Sequence, residues 1–265
     1  MGIIRHPIVE DRVIHGEGTR LEEWRSCQIL QQMPDFDIAN VIPADARVCI
    51  IAPHPDDEIL GCAGLIQRLD TLGYQILLFA VTNGTASHPG SSLYTPEELS
   101  LIRPAETRAA LEELPLKQNI LRIALDIQDG QVAEQRNKLK QQLQTYLQAN
   151  DVLVTTFVHD GHPDHEMTGQ VCQQLAAELH LSCIQVLIWA WHWAIPGDRR
   201  IPWSIAHQLR LTEEELQFKS RAARCFKSQI ELDPTIEQSP ILPEQALQRI
   251  LQPWEVYLYE QSSSL

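Results

Sequence analysis

Between residues 47 and 193, five short apolar runs alternate with longer amphipathic stretches, and that alternation most narrows the folds open to this chain. The runs cover residues 47–53 (RVCIIAP), 75–81 (QILLFAV), 119–125, 151–158 and 183–193. A run of this kind suits a strand covered on both faces, as in a parallel sheet whose crossover helices pack above and below it. The intervening segments supply those helices at residues 58–72, at 96–114, along the stripe Val132, Leu139, Leu143, Tyr146 and Leu147, and from the turn at 162–166 to residue 180. Gly61 and Gly64 share one helix face, where missing side chains allow a close approach to a sheet. The expectation is therefore an α/β chain: a Rossmann-like three-layer sandwich with a mostly parallel central sheet.

A chain of 265 residues fits one core of about 200 to 250 residues with decorated ends. The expected division is an N-terminal helical extension over residues 1–46, with a helix at 21–32, packed on a core domain over residues 47–265. Within that domain, residues 194–211 read as a loop containing Pro, Gly and Arg, and 212–229 as a helix opened by the capping box of Thr212 and Glu215. Residues 255–260 read as a short strand returning to the sheet edge, and 262–265 as a fraying end.

Hydrophobic residues at 44% and charged residues at 21% are ordinary globular values, so the chain should fold. The balance of 21 basic against 35 acidic residues, −14 in all, repels phosphate backbones and anionic lipid, so neither nucleic acid nor a membrane is an expected partner. An oligomer remains open. The sequence starts without an apolar signal-like run, and its longest uncharged stretch, 71–96, is interrupted by Thr, Asn, Gly, Ser, His and Pro. A cytoplasmic chain with no transmembrane helix is expected. The six cysteines form no CxxC pair and read as reduced thiols, Cys49, Cys172 and Cys183 among them in apolar runs.

Ligands of open α/β sheets bind beyond the carboxyl ends of the strands. Two such ends are loaded here: His54-Pro55-Asp56-Asp57-Glu58 directly after the first run, and His162-Pro163-Asp164-His165-Glu166 shortly after the fourth. Acidic residues in a first helical turn can simply complement the helix dipole, which accounts for any one of these carboxylates alone. It does not account for histidines and carboxylates together at two strand ends of one sheet. That combination can supply a three-ligand catalytic zinc site with an open position for water.

APHPDDEILGCAG, followed by VTNGTAS after the next strand and GHPDHEMTG later, resembles the PIG-L/LmbE family of zinc-dependent N-deacetylases over roughly residues 47–230. The resemblance implies His54, Asp57 and His165 as metal ligands, Asp56 as general base, and His162 as a second catalytic group with Asp164 beside it to orient it. The chemistry implied is removal of an acetyl group from an N-acetylated amino sugar or related glycosylated small metabolite by attack of a zinc-bound water. A His2Asp site also accepts Fe2+ or Co2+. A zinc-dependent amidase for another small amide conjugate and a non-catalytic metal-binding module are the alternatives. A nucleotide-binding Rossmann domain is disfavoured, because carboxylates stand where phosphates need amide hydrogens.

Asn83, in the Thr82-Asn83-Gly84 turn, and Arg103, on the following helix with Glu106, are candidate substrate contacts, although a plain Asn-Gly turn and a solvated helix face explain them too. Trp189, Trp191 and Trp193 at spacing two would share one face of a strand and pack in the core or stack on a sugar, leaving His192 on the other face as a further candidate contact. Asp160 reads as a loop-orienting residue, and Arg199 and Arg200 as solvated loop residues able to bind an anion.

Overall fold

The computed structural model describes residues 12–237 and 239–260, so residues 1–11 of the N-terminal extension and the end at 262–265 lie outside the described residues. The apolar runs form parallel strands β1 (Arg47–Ala52), β2 (Gln75–Ala80), β3 (Leu121–Ala124), β4 (Val152–Thr156) and β5 (Ser182–Val186). Two antiparallel strands, β6 (Ala206–Arg210) and β7 (Trp254–Leu258), complete a seven-stranded sheet in the order β3-β2-β1-β4-β5-β7-β6. The helices are α1 (Leu21–Arg25), α2 (Gln28–Gln32), α3 (Ile38–Val41), α4 (Asp57–Leu72), α5 (Pro96–Glu112), α6 (Arg136–Tyr146), α7 (Pro163–Leu179), α8 (Ala190–Trp193), α9 (Glu213–Ala223), α10 (Lys227–Ile230) and α11 (Glu244–Ile250). Among the described residues no helix is long and apolar enough to cross a membrane.

Alternation along each strand divides the core in two. Val48, Ile50 and Ala52 of β1 pack with Ile59, Leu65 and Leu69 of α4 on one face. Cys49 and Ile51 pack with Leu139 and Leu143 of α6 and Val171 and Leu175 of α7 on the other. The result is the expected three-layer α/β sandwich. Gly61 does what its position suggests: a Cβ there would stand 2.8 Å from Val186 of β5. Beside it, the buried Glu255 of β7 accepts the backbone N–H groups of Gly64 and Leu65, the Lys219 ammonium of α9 at 2.8 Å and the Tyr257 hydroxyl at 2.6 Å. One carboxylate thus ties α4, α9 and β7 together. All six cysteines are free thiols.

Several expectations are corrected. The helix at 21–32 is broken at Cys27, whose extended backbone separates α1 from α2 while Trp24 is buried edge-on against Trp191 at 5.0 Å between centroids. The loop at 194–211 contains β6. The last strand does not lie at the edge but between β5 and β6, and β6 is the edge strand. The helix at 212–229 keeps its capping box but is interrupted between α9 and α10. The run at 183–193 leaves the sheet after Val186, and its tryptophans lie in and beside the helical turn α8 rather than on a strand face.

The chain runs outward from β1 through β2 to β3 and then returns to β4 on the other side of β1. The carboxyl ends of β1 and β4 therefore flank the crevice where such sheets bind ligands.

Candidate active site

Both histidine-rich turns open into that crevice. After β1 the chain bends at Asp56, whose φ of 140° with ψ of −31° is a backbone conformation costly for any residue with a Cβ. The bend starts α4 and brings Asp57 back so that its Oδ2 accepts the His54 N–H at 2.9 Å. After β4, His162 caps α7, and His165 lies within its first turns.

Three atoms converge. His54 Nδ1 and His165 Nε2 are 3.1 Å apart, and Asp57 Oδ2 lies 3.5 Å from the first and 3.3 Å from the second. A tetrahedral divalent ion with bonds of about 2.0 to 2.1 Å separates its ligands by about 3.3 to 3.4 Å, so this triangle fits such an ion. The far ring nitrogens set the tautomers. His165 Nδ1 faces Asp160 Oδ2 at 2.8 Å, and His54 Nε2 lies 3.1 Å from Asp129 Oδ1 and 3.3 Å from Asp164 Oδ2. In the neutral imidazoles the nitrogen facing the carboxylate carries the proton and donates it in a hydrogen bond, which turns the lone pairs of His165 Nε2 and His54 Nδ1 towards Asp57 Oδ2. Against desolvation, which lowers it, the charge of Asp57 and hydrogen bonds to Asp160 and Asp57 raise the His165 pKa to about 9.

One nitrogen each of His54, His162 and His165 also lies within 4.8 Å of the others, as do ligand atoms of His54, Asp129 and Asp164. Asp129 and Asp164 stand on the opposite nitrogen of His54 and are engaged by backbone, Asp129 by the Ala86 N–H at 2.7 Å and Asp164 by the Gly130 N–H at 2.8 Å.

The structure reassigns Asp164. Its carboxylate faces His54, not His162; it is the Asp164 backbone N–H that orients His162, donating to Nδ1 at 3.2 Å. Neutral His162 therefore carries its proton on Nε2. Burial, with the charges of His54 and His165, lowers its pKa to about 2. Asp56 sits beside the trio. Burial pushes its carboxyl up to about 7 while Arg103 pulls it down.

Arg103 reads differently from a substrate contact. Its buried guanidinium donates to Asp56 Oδ2 at 3.1 Å and to the carbonyls of Pro55 and Gly84 at 2.8 and 3.1 Å, so it positions Asp56. Asn83 is absent from the cavity lining: its side chain bonds Asp126 and Arg122. Glu106 accepts the N–H and hydroxyl of Ser228, fastening α10 to α5. His192 reaches the cavity wall, with Nδ1 held 3.1 Å from Arg249. Among the tryptophans, Trp189 lines the cavity, Trp191 is buried against Trp24, and Trp193 donates to the Asp160 carbonyl beneath Arg200. Arg200 pairs with Asp198, and neither it nor Arg199 lines the cavity.

Sequence reasoning missed Asp129 and undervalued Asp160. The latter accepts three consecutive backbone N–H groups, those of Ile188, Trp189 and Ala190, as well as His165. This is why the chain curls into α8 where a strand was expected. The Asp-Gly step at 129–130, at the end of the third apolar run, was the available signal for Asp129.

These groups form one end of a cavity of about 890 Å³ whose walls also include residues 14–17, Trp189 and residues 239–243. Residues 49–176 match the PIG-L family, described as GlcNAc-PI de-N-acetylase. Over 139 residues the chain is 27% identical to the diacetylchitobiose deacetylase of Thermococcus kodakarensis, a match covering 51% of each chain, so it spans about half the length of that curated relative. In fold it is similar to a deacetylase of the teicoplanin biosynthesis pathway, with a TM-score of 0.61 at 18% identity over 82% of this chain and 100% of the other. It is also similar to the N,N'-diacetylchitobiose deacetylase of Pyrococcus horikoshii, with a TM-score of 0.56 at 21% identity over 75% of this chain and 76% of the other.

Proposed function

Its residues 49–176 being a PIG-L-type segment, we propose that this chain is a metal-dependent N-deacetylase acting on a small acetylated amino sugar or related metabolite. The observation that carries the reading is the triangle of His54 Nδ1, His165 Nε2 and Asp57 Oδ2 with Asp56 beside it, at the end of one cavity. In this reading His54, Asp57 and His165 hold the ion, and zinc suits a set of two imidazoles and one carboxylate, with iron and cobalt as chemical alternatives. A divalent ion bound there supplies Lewis acidity, activating water and drawing charge from an amide carbonyl.

The protein's own groups do the rest. Asp56, held on Oδ2 by Arg103, accepts the proton of the attacking water and passes it to the departing nitrogen. His162, fixed as the Nε2–H tautomer, donates a hydrogen bond to the oxygen on which negative charge develops. Asp160, Asp129 and Asp164 fix the two imidazoles. The products are acetate and a free amine. In this reading residues 47–265 are the catalytic domain, residues 14–17 of the preceding extension supply part of the cavity wall, and the enzyme is a cytoplasmic one.

The test is metal analysis of the purified protein together with acetate release from N-acetylglucosamine and N,N'-diacetylchitobiose, before and after chelation. Hydrolysis that chelation abolishes and metal restores is expected. Stoichiometric metal with no hydrolysis across a broad amide panel would overturn the reading in favour of a non-catalytic metal-binding module.

A further inference from the structure

Residues 12–19 form a strap along the cavity, pinned at both ends. At one end Arg12 pairs with Glu166 of the second histidine motif, Nη1 to Oε1 at 3.1 Å, and Glu166 also accepts the Gly161 N–H at 3.0 Å. At the other, the Thr19 N–H donates to the His192 carbonyl at 2.8 Å and the Thr19 hydroxyl to the Ala194 carbonyl at 2.6 Å. Arg249 of α11, itself buried, donates to the carbonyls of Glu17 and Thr19 and stands against His192. Gly18, at φ 63°, is packed so closely that a Cβ would come within 2.7 Å of the His192 ring. Between the pins, residues 14–17 line the cavity, as does the segment 239–243.

Of the four carboxylates among the described residues that line the cavity, Asp56 pairs with Arg103, Asp57 belongs to the proposed metal set and Asp129 faces His54, which leaves Glu17 as the one without a cationic partner. Arg103 is committed to Asp56 and two backbone carbonyls. A phosphate or carboxylate entering here meets Glu17 and, among the described residues, no lysine or arginine on the wall besides Arg103, whereas anion recognition rests on such groups. Ser87, Gln229, Ser239 and Gln245 offer uncharged hydrogen-bonding groups in the same lining.

We propose that the strap at residues 14–17 is a specificity wall of the cavity, and that with Glu17 it admits neutral amides and rejects those bearing phosphate or carboxylate. The inference rests on the deacetylase reading for the amide and on the cavity alone for the charge selection. Calorimetric binding of N,N'-diacetylchitobiose and of N-acetylglucosamine 6-phosphate tests it, with hydrolysis of both followed in parallel, in the metal-loaded wild type, Glu17→Lys, Glu17→Gln and Arg12→Ala.

The neutral ligand is expected to bind at least about tenfold more tightly than the phosphate. Glu17→Lys should narrow that gap about tenfold through the phosphate arm, and Glu17→Gln by less. Arg12→Ala, which frees one end of the strap, should raise KM for the neutral substrate about fivefold with kcat unchanged. Equal or tighter phosphate binding by the wild type, no binding of either ligand, or variants that leave both affinities unmoved would each overturn the proposal. The expected binding pattern without hydrolysis would instead count against the deacetylase reading alone.

Discussion

Replacing Asp160 by Asn tests how the proposed metal ligands are held. Oδ1 of Asp160 accepts the Ile188 and Ala190 N–H groups at 3.0 Å each, and Oδ2 accepts Trp189 N–H at 2.9 Å and His165 Nδ1–H at 2.8 Å. An amide keeps one acceptor oxygen, so whichever way it turns its NH2 faces two donors in a buried site. Two hydrogen bonds to a charged group are lost, at about 1.5 to 3 kcal/mol each, or about 3 to 6 kcal/mol together. A chain of this size loses about 2 to 4 °C of Tm per kcal/mol, which predicts a fall of at least about 6 °C. Even with the oxygen turned towards His165, the imidazole trades an ionised partner for a neutral one, and affinity should drop about 10- to 100-fold. Calorimetry of the metal-free protein and competition against a chromophoric chelator measure the two effects separately. A variant with Tm within about 2 °C of wild type and unchanged metal affinity would refute the argument, because nothing else in the structure offers those four donors a common acceptor.

Three further outcomes follow from the same geometry. Asp56→Ala should retain metal and lose about 10²- to 10⁴-fold in turnover, the range of a positioned base, and Asp56→Gly should be equally inactive yet about 1 kcal/mol more stable than the Ala variant because it relaxes the φ of 140°; metal content, rate and urea unfolding of the pair decide it. Gly84→Ala places a Cβ 1.9 Å from Arg103 Nη1 at a φ of 64°, so it should push the guanidinium off Asp56 and cut turnover at least about tenfold while metal binding stays within about threefold. Lys219→Met strands the buried Glu255 charge and should cost about 3 to 5 kcal/mol in urea denaturation, with the double variant Lys219→Met, Glu255→Gln recovering part of the loss.

The parallel half of the sheet was legible because each strand falls within a mostly apolar run and each is followed by its own helix, patterns that local sequence fixes. The segment at 206–210 was not. Its Ala-His-Gln-Leu-Arg carries no apolar run, and it becomes a strand because β7, nearly fifty residues later, supplies five paired positions. The tryptophan segment misleads for a related reason: its residues favour a strand, but the Asp160 carboxylate, nearly thirty residues upstream, gathers three of its N–H groups into a turn. The histidine-rich turns were legible as a ligand cluster. Which carboxylate serves which imidazole was not, since Asp164 lies two residues from His162 and yet its side chain reaches His54. The committed state of Arg103 was equally hidden, because burial of a guanidinium depends on its carbonyl partners and not on its place in a helix.

The position of β7 has a consequence for how the chain is made. Residues 254–258 are the last strand in sequence among the described residues, yet they sit between β5 and β6. During synthesis from the N-terminus, β5 and β6 are out of the ribosome some forty residues before the strand that joins them, and β5 waits with an unpaired edge. The Lys219 ammonium waits for Glu255 over the same interval. Early release or a stall before residue 254 would leave that edge free to pair with another nascent chain, so the growing polypeptide is most exposed to self-association late in translation.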